Sequence, residues 1–241
     1  MRKSLFPAEK LLEWYQSHGR ELPWRKTRDA YRILVSEIML QQTQVNRVLF
    51  FYERWLQQFP TWQALASATN ADVIHAWAGL GYNRRALMLR DIAKQVCEVG
   101  LPTSEEEWRH LKGIGPYSAA ALTSFSLQQR ALPIDTNIRR VIGRTCLGIP
   151  YPDLKDDRQI LPALDSFTPM HGNYVDVPQA LFDLATILCT KANPACASCP
   201  LANICKAKPG FVAGTHITSK KGASKPRERI HEGKKFPDRI F

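Results

Sequence analysis

Four of the six cysteines, Cys189, Cys196, Cys199 and Cys205, fall within seventeen residues in the pattern C-x6-C-x2-C-x5-C. That density marks a metal site. Disulfides belong to oxidising compartments, and a four-cysteine zinc site more often uses two separated C-x2-C pairs. One lopsided loop favours thiolate ligation of a [4Fe-4S] cluster, with zinc as the alternative. Cys97 and Cys146 sit among apolar neighbours and read as small core residues.

Acid chemistry is offered by Glu37. It lies in a stretch where Leu34, Ile38, Val45, Val48, Leu49 and Tyr52 recur at helical spacing, and Gln41 and Gln44 follow it at i+4 and i+7. One helix from Tyr31 to Trp55 is expected to carry the acid and both amides on a face beside its core stripe. A carboxyl group flanked by core residues is desolvated, holds its proton longer and can donate it. A solvated polar stripe is the plain alternative. Further on, Pro133-Ile134-Asp135-Thr136-Asn137-Ile138-Arg139-Arg140 places a carboxylate and an amide two residues apart, before a helix that opens with two arginines.

Between these acids, Leu111-Lys112-Gly113-Ile114-Gly115-Pro116-Tyr117-Ser118-Ala119 reads as a helix-hairpin-helix. Gly113 and Gly115 permit backbone conformations closed to other residues, and Pro116 fits a first helical position. Free N–H groups at that helix start can hold a DNA phosphate without reading sequence. A plain tight turn is the rival reading of the same residues.

The elements that must position these groups are helical. Apolar residues recur at helical spacing almost throughout, without β-branched runs alternating at period two, so the fold is expected to be all-α. Asp29, Thr61, Asn70 and Ser104, the last with Glu107 as a capping box, mark helix starts. At 241 residues and 44% hydrophobic composition the chain can bury one core or two small ones. A formal net charge of +11 suits a polyanionic partner. Much of the excess follows Cys205, and residues 210–241 read as a disordered basic arm that either solubilises the chain or loosely holds phosphates. The absence of an apolar run of about 18 residues, and of an apolar core in a leader, points to neither membrane nor secretion but to an intracellular, cytoplasmic protein.

Taken together, these motifs resemble the HhH-GPD superfamily of DNA glycosylases, most closely its MutY branch of A/G-specific adenine glycosylases, over about residues 20–206. The resemblance is carried by Leu22-Pro23-Trp24-Arg25, Ser36-Glu37-Ile38-Met39-Leu40-Gln41-Gln42-Thr43-Gln44-Val45, Gly79-Leu80-Gly81-Tyr82, the glycine hairpin, the Asp135 segment and the four cysteines in order. It implies two helical domains flanking a DNA-binding cleft. One is a six-helix barrel over 26–130 with the hairpin at 111–119; the other, an iron-sulfur cluster domain, pairs 1–25 with 131–209. A monomer would bend mismatched or damaged double-stranded DNA there and flip one nucleotide.

By that resemblance, Glu37 protonates the departing adenine, Asp135 steadies the sugar cation and Asn137 helps position water, the two carboxylates needing opposite protonation states. Tyr82 wedges into the duplex, Gln41 and Gln42 line the distorted region, and Gly113, Gly115, Tyr117 and Arg139 contact the substrate DNA. Tyr117 stands where relatives with strand-cleaving activity carry a lysine, so hydrolysis without lyase chemistry is implied. Two departures bear on the target base: Thr136 replaces the adenine branch's usual glycine, and Val177-Pro178-Gln179 its usual Phe-Asn-Gln. Thirty-six residues follow Cys205, so the branch's C-terminal Nudix-like domain, which reads 8-oxoguanine, is expected to be absent. A thymine glycosylase acting on G·T mismatches is the enzymatic alternative, and a non-catalytic DNA-binding iron-sulfur protein the alternative of another class.

Overall fold

The computed structural model describes residues 8–167 and 172–215. Among them are twelve α-helices and no β-strand: α1 (Ala8–His18), α2 (Ala30–Leu40), α3 (Val45–Gln58), α4 (Trp62–Ser67), α5 (Asn70–Trp77), α6 (Arg84–Val99), α7 (Glu105–His110), α8 (Pro116–Phe125), α9 (Thr136–Ile142), α10 (Asp157–Phe167), α11 (Asp176–Ile187) and α12 (Lys208–Val212). Asp29 caps α2 through Tyr31 N and Arg32 N, Thr61 caps α4, and Ser104 caps α7. Two caps differ from expectation. α5 is capped by Thr69 rather than Asn70, because Thr69 and Asp72 satisfy each other's backbone N–H groups. The Glu107 carboxylate reaches back to Thr103 N at 2.7 Å rather than to Ser104.

The single helix expected from Tyr31 to Trp55 is two. Gln41 is extended (φ −60°, ψ 111°) and Gln42 left-handed (φ 57°), which ends α2 before α3 begins at Val45. The carbonyls of Ile38, Met39 and Gln41, which a continuing helix would bond to its next turn, accept from the Arg85 guanidinium instead. Gln41 and Gln44 therefore leave the helical face that carries Glu37. α2 itself is buried on nearly all sides, packed on α3, α6 and α8, as an almost wholly apolar helix must be.

Buried side chains sort into two cores. The first is enclosed by α2 to α8, seven helical segments where the resemblance implies six, with α4 and α7 only six residues each. Trp55, Trp77 and Trp108 lie at its centre. The second joins Leu11 of α1 to Ile138, Val141 and Ile142 of α9, Ile160 of α10 and Val177, Leu181 and Leu184 of α11. Phe182 packs against both. Cys146 is half-buried against the second core, but Cys97 is exposed on α6, contrary to its reading as a core residue. α12 and its following turn order residues up to 215 of the arm expected to be disordered; the rest of that arm lies outside the described residues. Among the described residues no helix is long and apolar enough to cross a membrane.

Candidate active site

A cavity of about 690 Å³ opens where the two cores meet. Glu37 enters it from α2, Tyr117 from α8, Asp135 and Asn137 from the start of α9, and Gln179 and Phe182 from α11. Gln41 and Gln42 also line it, placed there by the break after α2 rather than by helical spacing. The two acids that sequence spacing could only nominate separately thus share one wall-to-wall space.

Their surroundings are opposite. Glu37 is 7% exposed, and burial on an apolar helix pushes its carboxyl up to about 7, with the Asp135 charge adding to the rise. The Tyr117 hydroxyl donates to Glu37 Oε2 at 2.8 Å and partly offsets that rise. Since Oε2 accepts this bond, Oε1 is the oxygen left to carry and deliver a proton. Burial also holds the Tyr117 hydroxyl well above its ordinary value, so it stays a donor. Asp135 is the N-cap of α9: Asn137 N and Ile138 N donate to its Oδ1 at 2.7 Å, and Asn137 Nδ2 to its Oδ2 at 2.7 Å. Three N–H donors at the positive end of a helix hold this carboxylate in place.

The remaining expected contacts divide. Arg139 lines the cavity but is 8% exposed and bidentate to Asp157, at 2.5 and 3.0 Å. Tyr82 stands outside the cavity, 67% exposed and left-handed (φ 51°) on the loop before α6. Gly113 uses the freedom expected of glycine (φ 102°), whereas Gly115 does not: its φ of −88° is open to any residue. What Gly115 contributes is emptiness, since a Cβ there would meet nothing within 4 Å and the N-terminus of α8 has no side-chain cap.

Spacing missed the network behind the cavity wall. Asp183 of α11 is fully buried and accepts from Arg20 N and Nε at 2.8 and 2.6 Å and from both terminal nitrogens of Arg25 at 2.7 and 2.8 Å. These arginines hold its carboxyl below the usual range against the cost of burial. Nearby, Tyr15 donates to Gln179 Oε1 at 2.8 Å. A lone acid inside the apolar run Ala180-Leu181-Phe182-Asp183-Leu184-Ala185 was the available signal.

The four cysteines line a separate small pocket with Arg144, Leu201 and Phe211, and none of them lines the cavity. Arg144 is fully buried and donates to Cys189 Sγ at 3.4 Å and to the carbonyls of Thr190 and Lys191. Among the described residues no three His, Cys, Asp or Glu converge closely enough to hold a single metal ion.

Residues 35–161 match the family model of HhH-GPD superfamily base excision DNA repair proteins. The chain is 38% identical over 217 residues to an adenine DNA glycosylase of Mycolicibacterium smegmatis, which covers 88% of this chain and 73% of that protein. It is also 38% identical over 200 residues to an adenine DNA glycosylase of Mycobacterium tuberculosis, covering 79% of this chain and 64% of that one. The match thus spans about two thirds of the length of these relatives. The solved structure of a thermostable thymine-DNA glycosylase has the same fold, with a TM-score of 0.75 at 24% identity over 84% of this chain and 94% of that one. By family model and relatives together, the chain belongs to the HhH-GPD superfamily of base excision DNA repair proteins, on the branch of adenine DNA glycosylases.

Proposed function

We propose that this protein is a monofunctional DNA glycosylase that hydrolyses the N-glycosidic bond of adenine mispaired with guanine or 8-oxoguanine. The observation that carries this reading is the convergence of Glu37 and Asp135 on one cavity in opposite surroundings. Glu37 Oε1 gives its proton to a ring nitrogen of the flipped base, so the base leaves neutral. Asp135 faces the cation developing on the sugar, and Asn137, fixed against Asp135, helps orient the water that completes the substitution. The water's oxygen bonds to the anomeric carbon, and its proton restores the acid.

Among the described residues no lysine lines the cavity, and the hairpin position that would hold one carries Tyr117, already bonded to Glu37. Hydrolysis without strand cleavage follows. Adenine is preferred over thymine because relatives at 38% identity are adenine glycosylases. Two domains are assigned as 26–130 and 1–25 with 131–209, built around the first and second core respectively, with Leu22, Trp24 and Val175 crossing over to pack in the first core, and a monomer inside the cell bends duplex DNA across the cavity. Gly113 and Gly115 let a phosphate approach α8, while Tyr82 enters the duplex, Gln41 and Gln42 line the distorted region and Arg139 supports the cleft wall.

Cys189, Cys196, Cys199 and Cys205 would hold a [4Fe-4S] cluster. All four thiols line one small pocket, and a cluster of this kind is held by four thiolates from one such group of cysteines. Held by these four thiolates, a cluster would tie the 189–205 loop beside α9 and α11 and would supply a one-electron redox centre.

One panel tests the reading: purified protein with duplexes containing A·8-oxoguanine, A·G, G·T or G·U, each with and without alkali. Alkali-dependent breakage at adenine is expected. Breakage at thymine, or without alkali, overturns the target or the hydrolytic assignment, and no breakage anywhere favours the non-catalytic alternative. Iron and sulfide analysis of the same preparation is expected to give about four of each per chain, and stoichiometric zinc instead overturns the cluster.

A further inference from the structure

Arg85, in the first turn of α6, is a buried cation without a carboxylate among its partners in the described residues: it is 8% exposed and bonds only carbonyls and one hydroxyl. Nη1 donates to Ile38 O at 2.9 Å, Met39 O at 3.1 Å and Gln41 O, and Nη2 to Leu80 O at 3.3 Å, Gly81 O at 3.0 Å and Thr43 Oγ1 at 3.2 Å. Nη1 thus caps the open carbonyl end of α2, the helix that carries Glu37, while Nη2 grips the loop before α6. One planar fork joins two loops that are distant in sequence. A lysine ammonium, a single point of charge, cannot span them.

Each of these loops carries one non-glycine residue in the left-handed region, Gln42 (φ 57°) and Tyr82 (φ 51°). Such backbone persists only where its surroundings over-determine it. Burial does not supply that constraint, since both side chains are exposed. Arg85 does: it bonds the residue before each, Gln41 and Gly81, and lies 5.5 Å from the Tyr82 ring centroid and 5.3 Å from that of Trp77. Trp77 Nε1 in turn donates to Gly81 O at 3.0 Å, and Arg47 of α3 to Gly79 O.

We propose that Arg85 is the positioning residue that fixes Gln42 and Tyr82 as one two-pronged wedge, so that it governs extrusion of the nucleotide and not cleavage of its bond. This rests on the glycosylase reading above. It predicts a defect that depends on how hard the base is to extrude. The test compares Arg85→Lys and Arg85→Gln with the wild type in single-turnover excision of adenine from a paired mismatch and from a one-nucleotide bulge, where unpairing costs little. A 2-aminopurine neighbouring the target adenine reports unstacking in the saturated complex.

For both variants the paired substrate is expected to lose about tenfold to a hundredfold in rate, the bulge to stay close to wild type, and the unstacking signal on the paired duplex to fall. The ratio of the two rates is independent of how much of a variant is folded, so partial unfolding does not mimic the result. Equal losses on both substrates, or an unchanged 2-aminopurine signal, would overturn the assignment. Failure of the wild type to excise adenine from either substrate would instead sink the glycosylase reading itself.

Discussion

Glu37 keeps its proton because α2 offers no solvent to its carboxylate, and the sign of two pH dependences follows. The native group holds a proton up to about pH 7, while the unfolded chain releases it near 4.5. Between those values the native state binds more protons than the unfolded one, so folding stability falls as pH rises through this window and levels off above it. Glu37→Gln does not titrate, so its stability relative to wild type should grow across the same window to at most about 3 kcal/mol. Paired urea melts at pH 5 and pH 9 check this, and equal differences at both pH values refute it. The variant should bind mismatched duplex yet leave the base attached. Wild-type excision should weaken above about pH 7, where the donor is lost. Tyr117→Phe removes a bond that favours the charged form, so the alkaline limb of the single-turnover pH profile should move upward, at a stability cost of about 1 kcal/mol.

Helix ends do much of the positioning. The N-cap of α9 turns Asp135 toward the cavity while satisfying the backbone, and the open N-terminus of α8 leaves room for a phosphate. The two hairpin glycines serve different ends, and alanine separates them. At Gly113 a Cβ would stand 2.9 Å from Met88 Cγ on a backbone with φ of 102°, so Gly113→Ala should destabilise by about 1–3 kcal/mol. Gly115→Ala meets no atom within 4 Å and should change stability by no more than about 0.5 kcal/mol. On the proposed hairpin contact it should nonetheless weaken duplex binding, because the methyl group would occupy the open space assigned to a phosphate. Denaturation and equilibrium binding of the two variants decide this, and a Gly115→Ala variant that binds normally would remove the phosphate role.

The two cores are tied at the cavity by Asp183, which bonds the segment entering the first core to α11 of the second, and by Phe182, which packs on both. Asp183→Ala leaves Arg25, 10% exposed, and Arg20, 30% exposed, without their anion, and should cost about 3 kcal/mol in urea unfolding. Excision should fall more steeply than stability, since Arg25, Gln179 and Phe182 form the cavity wall. A variant as stable as wild type would show the pair to be replaceable. Much of this was legible beforehand, because it is local chemistry: the cysteine spacing, the glycine hairpin, the paired Asp135 and Asn137 ahead of a helix and an acid embedded in apolar residues each follow from neighbours along the chain. Periodicity could not see the break after Leu40, since the Gln41 carbonyl beside the left-handed Gln42 accepts from Arg85, an arginine more than forty residues away. Nor could it tell that Arg139 turns to Asp157 or that Asp183 gathers two arginines. Residue types and spacings thus determined which groups could do acid, anion and thiolate chemistry, whereas convergence, burial and the resulting proton affinity of Glu37 were decided only by tertiary packing, because desolvation and charge act through space and not along the sequence.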